Sequence, residues 1–126
     1  MAGLEACWHR GIAELPEDQW DRLLAAAPGA KASAPGAVLP FYRWRWLLEL
    51  ERSGSIVPQQ GWQSCPLSLW RGEQLVAVAP LYLKGHSYGE FVFDQSFAEL
   101  AARLGQRYYP KLVGMSPVSP IQGYRF

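Results

Sequence analysis

The amino-acid sequence predicts an α+β domain in which two helices precede a β-hairpin and a third helix precedes a last strand. Three segments repeat apolar residues at helical spacing, and shorter segments show the alternating or continuous apolar pattern of strands. Glycine and proline separate these segments. Because the helices and strands come in runs, a regularly alternating doubly wound fold is not expected.

Composition places the chain among globular proteins of one domain. Its 126 residues are 49% hydrophobic and 18% charged, which allows a core without a disulfide or metal. The formal net charge of +1 provides no electrostatic basis for binding DNA or an anionic membrane. Cys7 and Cys65 have no metal-binding or redox spacing. Since there is neither a signal peptide nor an apolar run long enough for a membrane span, we expect a cytoplasmic protein.

The first predicted elements are a weakly patterned strand around Trp8–Ile12 and a helix. Pro16 favours the first helical turn, and Pro28-Gly29 ends the helix. Its apolar stripe has the spacing i, i+3, i+4, i+7 and consists of Trp20, Leu23, Leu24 and Ala27. The stretch Gly29–Leu39, rich in Ala, Gly and Pro, is predicted to be a loop.

A second helix is predicted from about Phe41 to Arg52, with Gly54 as its C-terminal cap. Its apolar face is unusually wide and consists of Phe41, Trp44, Leu47 and Leu48, broadened by Tyr42, Trp46 and Leu50. A face of this width predicts contacts on two sides.

A β-hairpin is predicted next. The alternation from Gln63 to Trp70 indicates one strand, and Leu75–Ala79 indicates a second strand buried on both faces. The turn between them is Arg71-Gly72-Glu73. Because proline has no N–H for the ladder, Pro66 predicts an edge position or a bulge, and Pro80 predicts a bulge or a break.

The last predicted elements are a helix and a strand. Ser96-Phe97-Ala98-Glu99 has the spacing of a capping box, and Asp94 is an alternative N-cap. We expect a buried stripe along the helix, formed by Phe97, Leu100, Ala101 and Leu104. The strand is predicted over Tyr108–Met115.

The polar loop between Leu83 and Asp94 concentrates the chemistry of the chain. It holds His86, one of only two histidines, together with glycines, a tyrosine and two carboxylates. Loops at strand ends often carry function because a rigid strand positions their side chains.

Four short segments in a fixed order carry a resemblance to a known family: Gly61-Trp62-Gln63, Pro80-Leu81-Tyr82-Leu83-Lys84, His86-Ser87-Tyr88-Gly89-Glu90-Phe91-Val92-Phe93-Asp94 and Arg107-Tyr108-Tyr109-Pro110-Lys111-Leu112. From about Leu39 to Phe126 the chain resembles the FemAB-like N-acyltransferases, also described as peptidoglycan biosynthesis/recognition proteins. The resemblance implies part of a GNAT-like fold, with a mostly antiparallel sheet and helices. It also implies transfer of an acyl or aminoacyl group to the amine of a small molecule or peptide. The donor would be acyl-CoA or aminoacyl-tRNA, and no cofactor would be bound covalently.

The chain departs from this family in length and in one motif. Family members are much longer, and we expect residues 1–126 to be a single N-terminal domain of a longer protein. GNAT proteins hold the donor pyrophosphate in a glycine-rich loop at a helix N-terminus. Residues 117–123 lack that pattern. We therefore expect the isolated chain to be inactive, and to self-associate or to be completed by a C-terminal domain. The alternative is a non-catalytic binding or interaction half-domain.

Acyl transfer to an amine needs a base and donors that stabilise an oxyanion. The candidate catalytic residues are Glu90 and His86, for which a surface carboxylate and a structural histidine are the alternatives. The candidate substrate-binding residues are Lys84, Ser87, Tyr88, Asp94, Tyr109 and Lys111. For Asp94 the alternative is a helix cap, and for Tyr88 it is aromatic packing. His9 is assigned no role, no Ser-His-Asp triad is expected, and two distant histidines predict no metal site.

Overall fold

The computed structural model describes residues 3–27, 40–90, 92–119 and 121, and this part of the chain has an α+β fold. The predicted loop Gly29–Leu39 lies outside the described residues. The described part contains three α-helices and six short strands. In chain order they are β1 Leu4–Trp8, α1 Glu17–Ala26, α2 Trp44–Arg52, β2 Trp62–Ser64, β3 Leu67–Arg71, β4 Gln74–Ala79, β5 Leu81–Lys84, α3 Gln95–Arg103 and β6 Lys111–Gly114.

The predicted hairpin is present, but two prolines bend it into two halves. β2 pairs with β5 and β3 pairs with β4, both antiparallel, and the Cys65 N–H donates to Leu81 O at 2.9 Å between the halves. Because the register is the same on both sides of the bend, Pro66 and Pro80 lie opposite each other. Neither has an N–H to donate, so the ladder is interrupted there. The break predicted at Pro80 is confirmed, and the single strand predicted over Gln63–Trp70 is two strands.

The bend separates two three-stranded antiparallel sheets, ordered β1-β3-β4 and β2-β5-β6. β1 shares only Trp8 with the strand predicted around Trp8–Ile12. Because β1 precedes the helices and the hairpin has four strands, the observed order differs from the predicted helix, helix, strand, strand, helix, strand. The sequence pattern of β1 is weak because it is an edge strand whose side chains are mostly exposed. The last strand is shorter than predicted.

Each sheet has its own hydrophobic cluster. α1 and α2 pack on the first sheet around Ile12, Leu15, Trp20, Leu47, Leu48 and Leu75. Beneath the second sheet lies a smaller cluster of Ile56, Trp62 and Tyr82. This second sheet carries the candidate functional loop at one end.

The buried stripe predicted for α3 is wrong, and the alternative N-cap is the one that the structure has. The apolar stripe of α3 is exposed, with Phe97 at 64%, Leu100 at 53% and Leu104 at 67% of full exposure. Apolar periodicity shows that a helix is amphipathic, but it does not show whether the described fold covers its apolar side. The helix begins at Gln95, so Ser96 is not its N-cap. Asp94 takes the N-cap position without a capping side-chain bond, because its carboxylate is engaged elsewhere.

None of the helices in the described ranges is long and apolar enough to cross a membrane.

Candidate functional site

The second sheet places two lysines next to each other at its end. Lys84 of β5 pairs with Lys111 of β6 on one side and with Trp62 of β2 on the other. Residues directly opposite each other in an antiparallel pair share a face of the sheet. Trp62, Lys84 and Lys111 therefore form one row across three strands, and the loop from Gly85 to Asp94 starts from that row.

Glu90 folds back from the loop onto the first lysine. Lys84 Nζ donates to Glu90 Oε1 at 2.6 Å, and the indole N–H of Trp62 donates to the same oxygen at 2.7 Å. The ammonium also lies 4.1 Å from the centre of the Trp62 ring, a cation–π contact. Lys84 is only 2% exposed. Removing Glu90 would thus leave a buried ammonium without its counter-charge, which is costly.

Asp94 is held by the second lysine and by two hydroxyl groups. Lys111 Nζ and Tyr109 OH each lie 2.6 Å from Asp94 Oδ2, and Ser87 Oγ lies 3.2 Å from it. The hydrogen bond from Lys111, followed by that from Tyr109, lowers the pKa of Asp94 to about 2. Burial works against a charged Lys111, but its bonds to Asp94 and Tyr108 raise the Lys111 pKa. Burial raises the pKa of Tyr109, and its hydrogen bond to Asp94 raises that pKa further.

His86 and Tyr88 form the outer part of the loop. Their rings stack with centroids 4.9 Å apart, and Tyr88 is 81% exposed. The Tyr88 N–H donates to His86 Nδ1 at 3.3 Å. A neutral imidazole in this bond carries its proton on Nε2. In that tautomer His86 offers a hydrogen-bond donor to a ligand, and its acceptor nitrogen is already used.

The structure thus places the candidate residues in three groups. Lys84 and Glu90 form one ion pair; Ser87, Asp94, Tyr109 and Lys111 form the second group; His86 and Tyr88 stack beside them. Lys84 and Lys111 lie opposite each other on neighbouring strands. The roles assigned to these residues stay predictions.

Comparison with known proteins identifies the family. A sequence profile of the FemAB-like proteins, described as peptidoglycan biosynthesis/recognition, matches residues 11–126. The chain belongs to the FemAB-like family. The resemblance seen in the sequence is confirmed, and the match begins nearer the N-terminus than the resemblance did. No curated protein and no solved structure matches the chain significantly.

The FemAB-like family connects the chain with peptidoglycan, and the whole candidate site lies inside the matched region. The relation to the GNAT fold stays a prediction. The stretch 117–123, which lacks the phosphate-binding pattern, is described only at 117–119 and 121. Within the described ranges no group of three or more His, Cys, Asp or Glu side chains could hold a metal ion.

Sequence reasoning missed two aromatic residues of the site in this FemAB-like chain. The sequence alone indicates no role in the site for Trp62 and places Tyr108 only in the predicted last strand. In the structure Tyr108 OH accepts a hydrogen bond from Lys111 Nζ at 3.1 Å, and Trp62 contacts both Lys84 and Glu90. The register between β2 and β5 places Trp62 beside Lys84, and the sequence does not specify that register.

His9 also has partners that the sequence did not reveal. His9 Nε2 lies 2.6 Å from Ser68 Oγ, and His9 Nδ1 lies 3.2 Å from Glu14 Oε2. The order serine, histidine, carboxylate is that of a catalytic triad. However, Ser68 is 0% exposed and its hydroxyl also accepts the indole N–H of Trp70 at 2.7 Å. A substrate has no access to this serine, so the contacts are structural.

A third carboxylate, Glu51, is partly buried between elements. The Ile12 N–H lies 3.2 Å from each of its oxygens, and Ser64 Oγ donates to Oε1 at 2.6 Å. Burial raises the pKa of Glu51, while the bonds from Ser64 and Ile12 oppose that change. Glu51 joins α2, the turn before α1 and β2, and thus belongs to the scaffold of the site.

Proposed function

We propose that this FemAB-like chain forms the acceptor side of an N-acyltransferase site in peptidoglycan-related metabolism. An acyl or aminoacyl group would pass to an amine of a small molecule or peptide. The family supports the connection with peptidoglycan. The observation that carries the proposal is the arrangement of two carboxylates, Glu90 and Asp94, at the end of the second sheet.

Both carboxylates receive their donors on one oxygen. Lys84 and Trp62 donate to Oε1 of Glu90, and the donors of Asp94 all lie on Oδ2. The other two oxygens, Oε2 and Oδ1, have no hydrogen-bond partner among the described residues. An ammonium group has three N–H donors and no acceptor, so it is a suitable ligand for such oxygens. The Glu90 side chain is 21% exposed and that of Asp94 only 9%, so an amine would reach Glu90 first.

The proposed chemistry follows from these contacts. The ammonium of the acceptor gives a proton to Glu90, and the free amine attacks the acyl carbon of acyl-CoA or aminoacyl-tRNA. A C–N bond forms, the C–S bond of the thioester or the C–O bond of the ester breaks, and the second proton lost by the amine nitrogen passes to the leaving sulfur or oxygen. We assign to the Nε2–H of His86 the role of donating to the oxyanion. Asp94, with its pKa of about 2, stays ionised and holds Lys111.

A second candidate function is recognition of peptidoglycan or a precursor without chemistry. The observation that favours it is the presence of two short ion pairs, Lys84–Glu90 and Lys111–Asp94. Glu90 and Asp94 each have a lysine at 2.6 Å, which occupies one oxygen of the carboxylate and leaves the other oxygen for an ammonium.

Binding of soluble peptidoglycan fragments tests the shared part of both candidates. Fragments with a free amino group should bind by calorimetry, and the same fragments acetylated on that amine should not. Glu90→Gln should weaken binding at least about tenfold, because the acceptor loses its charge. The matched control is Glu49→Gln, an exposed carboxylate paired only with Arg52. Equal binding of free and acetylated fragments would contradict the proposal.

Mass spectrometry then separates the two candidates. The chain is incubated with an amine-bearing fragment and either acyl-CoA or aminoacyl-tRNA. A new amide that is lost in Glu90→Gln and reduced in His86→Ala supports the transferase. Because the isolated chain is expected to be inactive, binding without product supports recognition only if the chain completed by the proposed C-terminal domain also forms no product. Product formed equally by both variants would remove these residues from the mechanism.

The exposed surfaces of α3 and β6 also support a partner. The apolar side of α3 is exposed, and β6 is an edge strand of the second sheet. Exposed apolar stripes and open sheet edges are surfaces that proteins commonly cover. We include self-association, or completion by a C-terminal domain, in the proposal.

A further inference from the structure

Trp62 is the residue that contacts both members of the Lys84–Glu90 pair. It is 2% exposed and lies opposite Lys84 in the ladder. Its ring packs edge-on against Tyr82, with centroids 5.7 Å apart and planes at 84°. Because this packing fixes the ring, it also fixes the direction in which the indole N–H points.

That N–H meets the side chain through which Glu90 makes its shortest contacts with the described residues. The Glu90 N–H makes a long bond of 3.4 Å to Ser87 O, whereas its side chain receives the bonds of 2.7 Å from Trp62 and 2.6 Å from Lys84. The side chain is therefore the main attachment of this part of the loop. Both donors lie on Oε1, and this choice leaves Oε2 as the oxygen for a ligand.

We propose that Trp62 is a positioning residue, which selects the oxygen of Glu90 that faces the ligand and orders the loop around it. The Lys84 ammonium has three N–H groups that rotate about its Cε–Nζ bond, whereas the indole has a single N–H whose direction the packed ring fixes. Trp62 thus supplies the direction and Lys84 the charge. This inference rests on the proposed function for the ligand, but the ordering of the loop can be measured without one.

The first test uses the ligand-free chain and leaves Trp62 itself in place. Glu90→Ala removes the acceptor of the Trp62 indole N–H, whereas Glu90→Gln retains an oxygen. By NMR, the alanine variant should shift the Trp62 indole resonance and speed its hydrogen exchange, and the glutamine variant should do so much less. The Trp20 indole is an internal control, since it is also 2% exposed and donates to Tyr42 O at 2.9 Å. An unchanged Trp62 resonance in Glu90→Ala overturns the inference.

The second test compares Trp62→Phe with Trp20→Phe, two variants that each lose one buried indole N–H. Both should be less stable, but only Trp62→Phe should speed amide exchange in residues 86–90, by about tenfold. Trp62→Phe should also weaken binding of an amine-bearing peptidoglycan fragment about tenfold. The double variant Trp62→Phe/Glu90→Ala should bind no more weakly than Glu90→Ala alone, because Trp62 acts through Glu90. Equal loop exchange in the two variants, or additive effects on affinity, would overturn the positioning role.

The two proposals fail separately. If the wild-type chain does not bind the fragment, the proposed function fails. Exchange in residues 86–90 and the Trp62 indole resonance then still decide whether Trp62 positions Glu90.

Discussion

At the scale of single residues, two carboxylates of this chain differ in what compensates their charge. Asp94 has an ammonium at 2.6 Å, and its pKa is lowered to about 2. Glu51 receives only neutral donors, and burial raises its pKa. The two residues should therefore respond to pH in opposite directions.

Asp94→Asn should destabilise the fold by about 1–2 kcal/mol at pH 7, because Lys111 loses its charged partner. The pKa of Asp94 in the folded chain, about 2, lies below its ordinary value of 3.8. Its contribution is therefore present above pH of about 4 and is lost as the pH falls toward about 2. Urea unfolding between pH 2 and 7, in roughly unit steps, measures this difference. Asp18→Asn, in an exposed pair with Arg22, is the control and should change little. A wild-type advantage that stays constant down to pH 2 would refute this account.

Glu51→Gln should leave the stability at pH 7 within about 1 kcal/mol of wild type or raise it, because an amide keeps the hydrogen bonds without a buried charge. Since the folded-state pKa of Glu51 is raised, wild type should gain stability as the pH falls through that pKa. The glutamine variant should lack this gain. Thermal unfolding measured from pH 7 down to the ordinary glutamate pKa of 4.5 detects this gain. Glu51→Ala, which leaves Ile12 N–H and Ser64 without their acceptor, should lose about 1–3 kcal/mol. If the stability of wild type relative to Glu51→Gln instead rises with pH, the account of Glu51 is wrong.

At the scale of elements, the bent hairpin and the turn before it decide where the loop stands. Gly61 precedes β2 and has a φ of +80°. The backbone N–H of Gly85, which follows β5, donates to Gly61 O at 2.9 Å. A Cβ at Gly61 would lie 2.8 Å from His86 O and 2.9 Å from two atoms of its ring. The turn and the loop are thus in direct contact, and the close approach needs glycine.

Gly61→Ala should therefore cost more than a positive φ alone, about 2 kcal/mol or more. The control is Gly72→Ala in the hairpin turn, where φ is +60° and no atom lies within 4 Å of the added Cβ. That variant should lose only about 1 kcal/mol. Chemical denaturation compares the two, and NMR should show a displaced His86 ring only in Gly61→Ala. Equal losses in both variants would mean that the contact with His86 has no energetic weight.

At the scale of the whole molecule, the described fold buries two clusters and leaves a third apolar surface open. α1 and α2 cover the first sheet, and the smaller cluster supports the second. α3 contributes no buried residue to either. Its stripe and the edge strand β6 are the surfaces on which the proposed association depends.

Sedimentation velocity should show a species larger than a monomer as the concentration rises. Leu100→Ser should return the chain to monomer with little change in monomer stability, because the side chain is 53% exposed. Leu4→Ser on β1, with a side chain 60% exposed, is the matched control and should not affect association. A wild-type chain that sediments as a monomer at every concentration would remove self-association from the proposal.

The sequence by itself determined the α+β class, the extent of α1 and the position of the hairpin. These features depend on periodicity and on proline and glycine, which act within a few residues. Pro80 could be recognised as a break because a missing N–H is a property of that residue alone. The segments that carry the FemAB-like resemblance are also read directly from the chain.

Only the tertiary structure decided which groups meet at the site and which apolar face stays open. The row of Trp62, Lys84 and Lys111 depends on the register of three strands, and the bonds of Glu90 and Asp94 depend on how a loop folds back. The same holds for the exposed stripe of α3. Local patterns specify which face of an element is apolar or charged. They do not specify what lies opposite that face, because pairing partners are set by contacts between residues far apart in the chain.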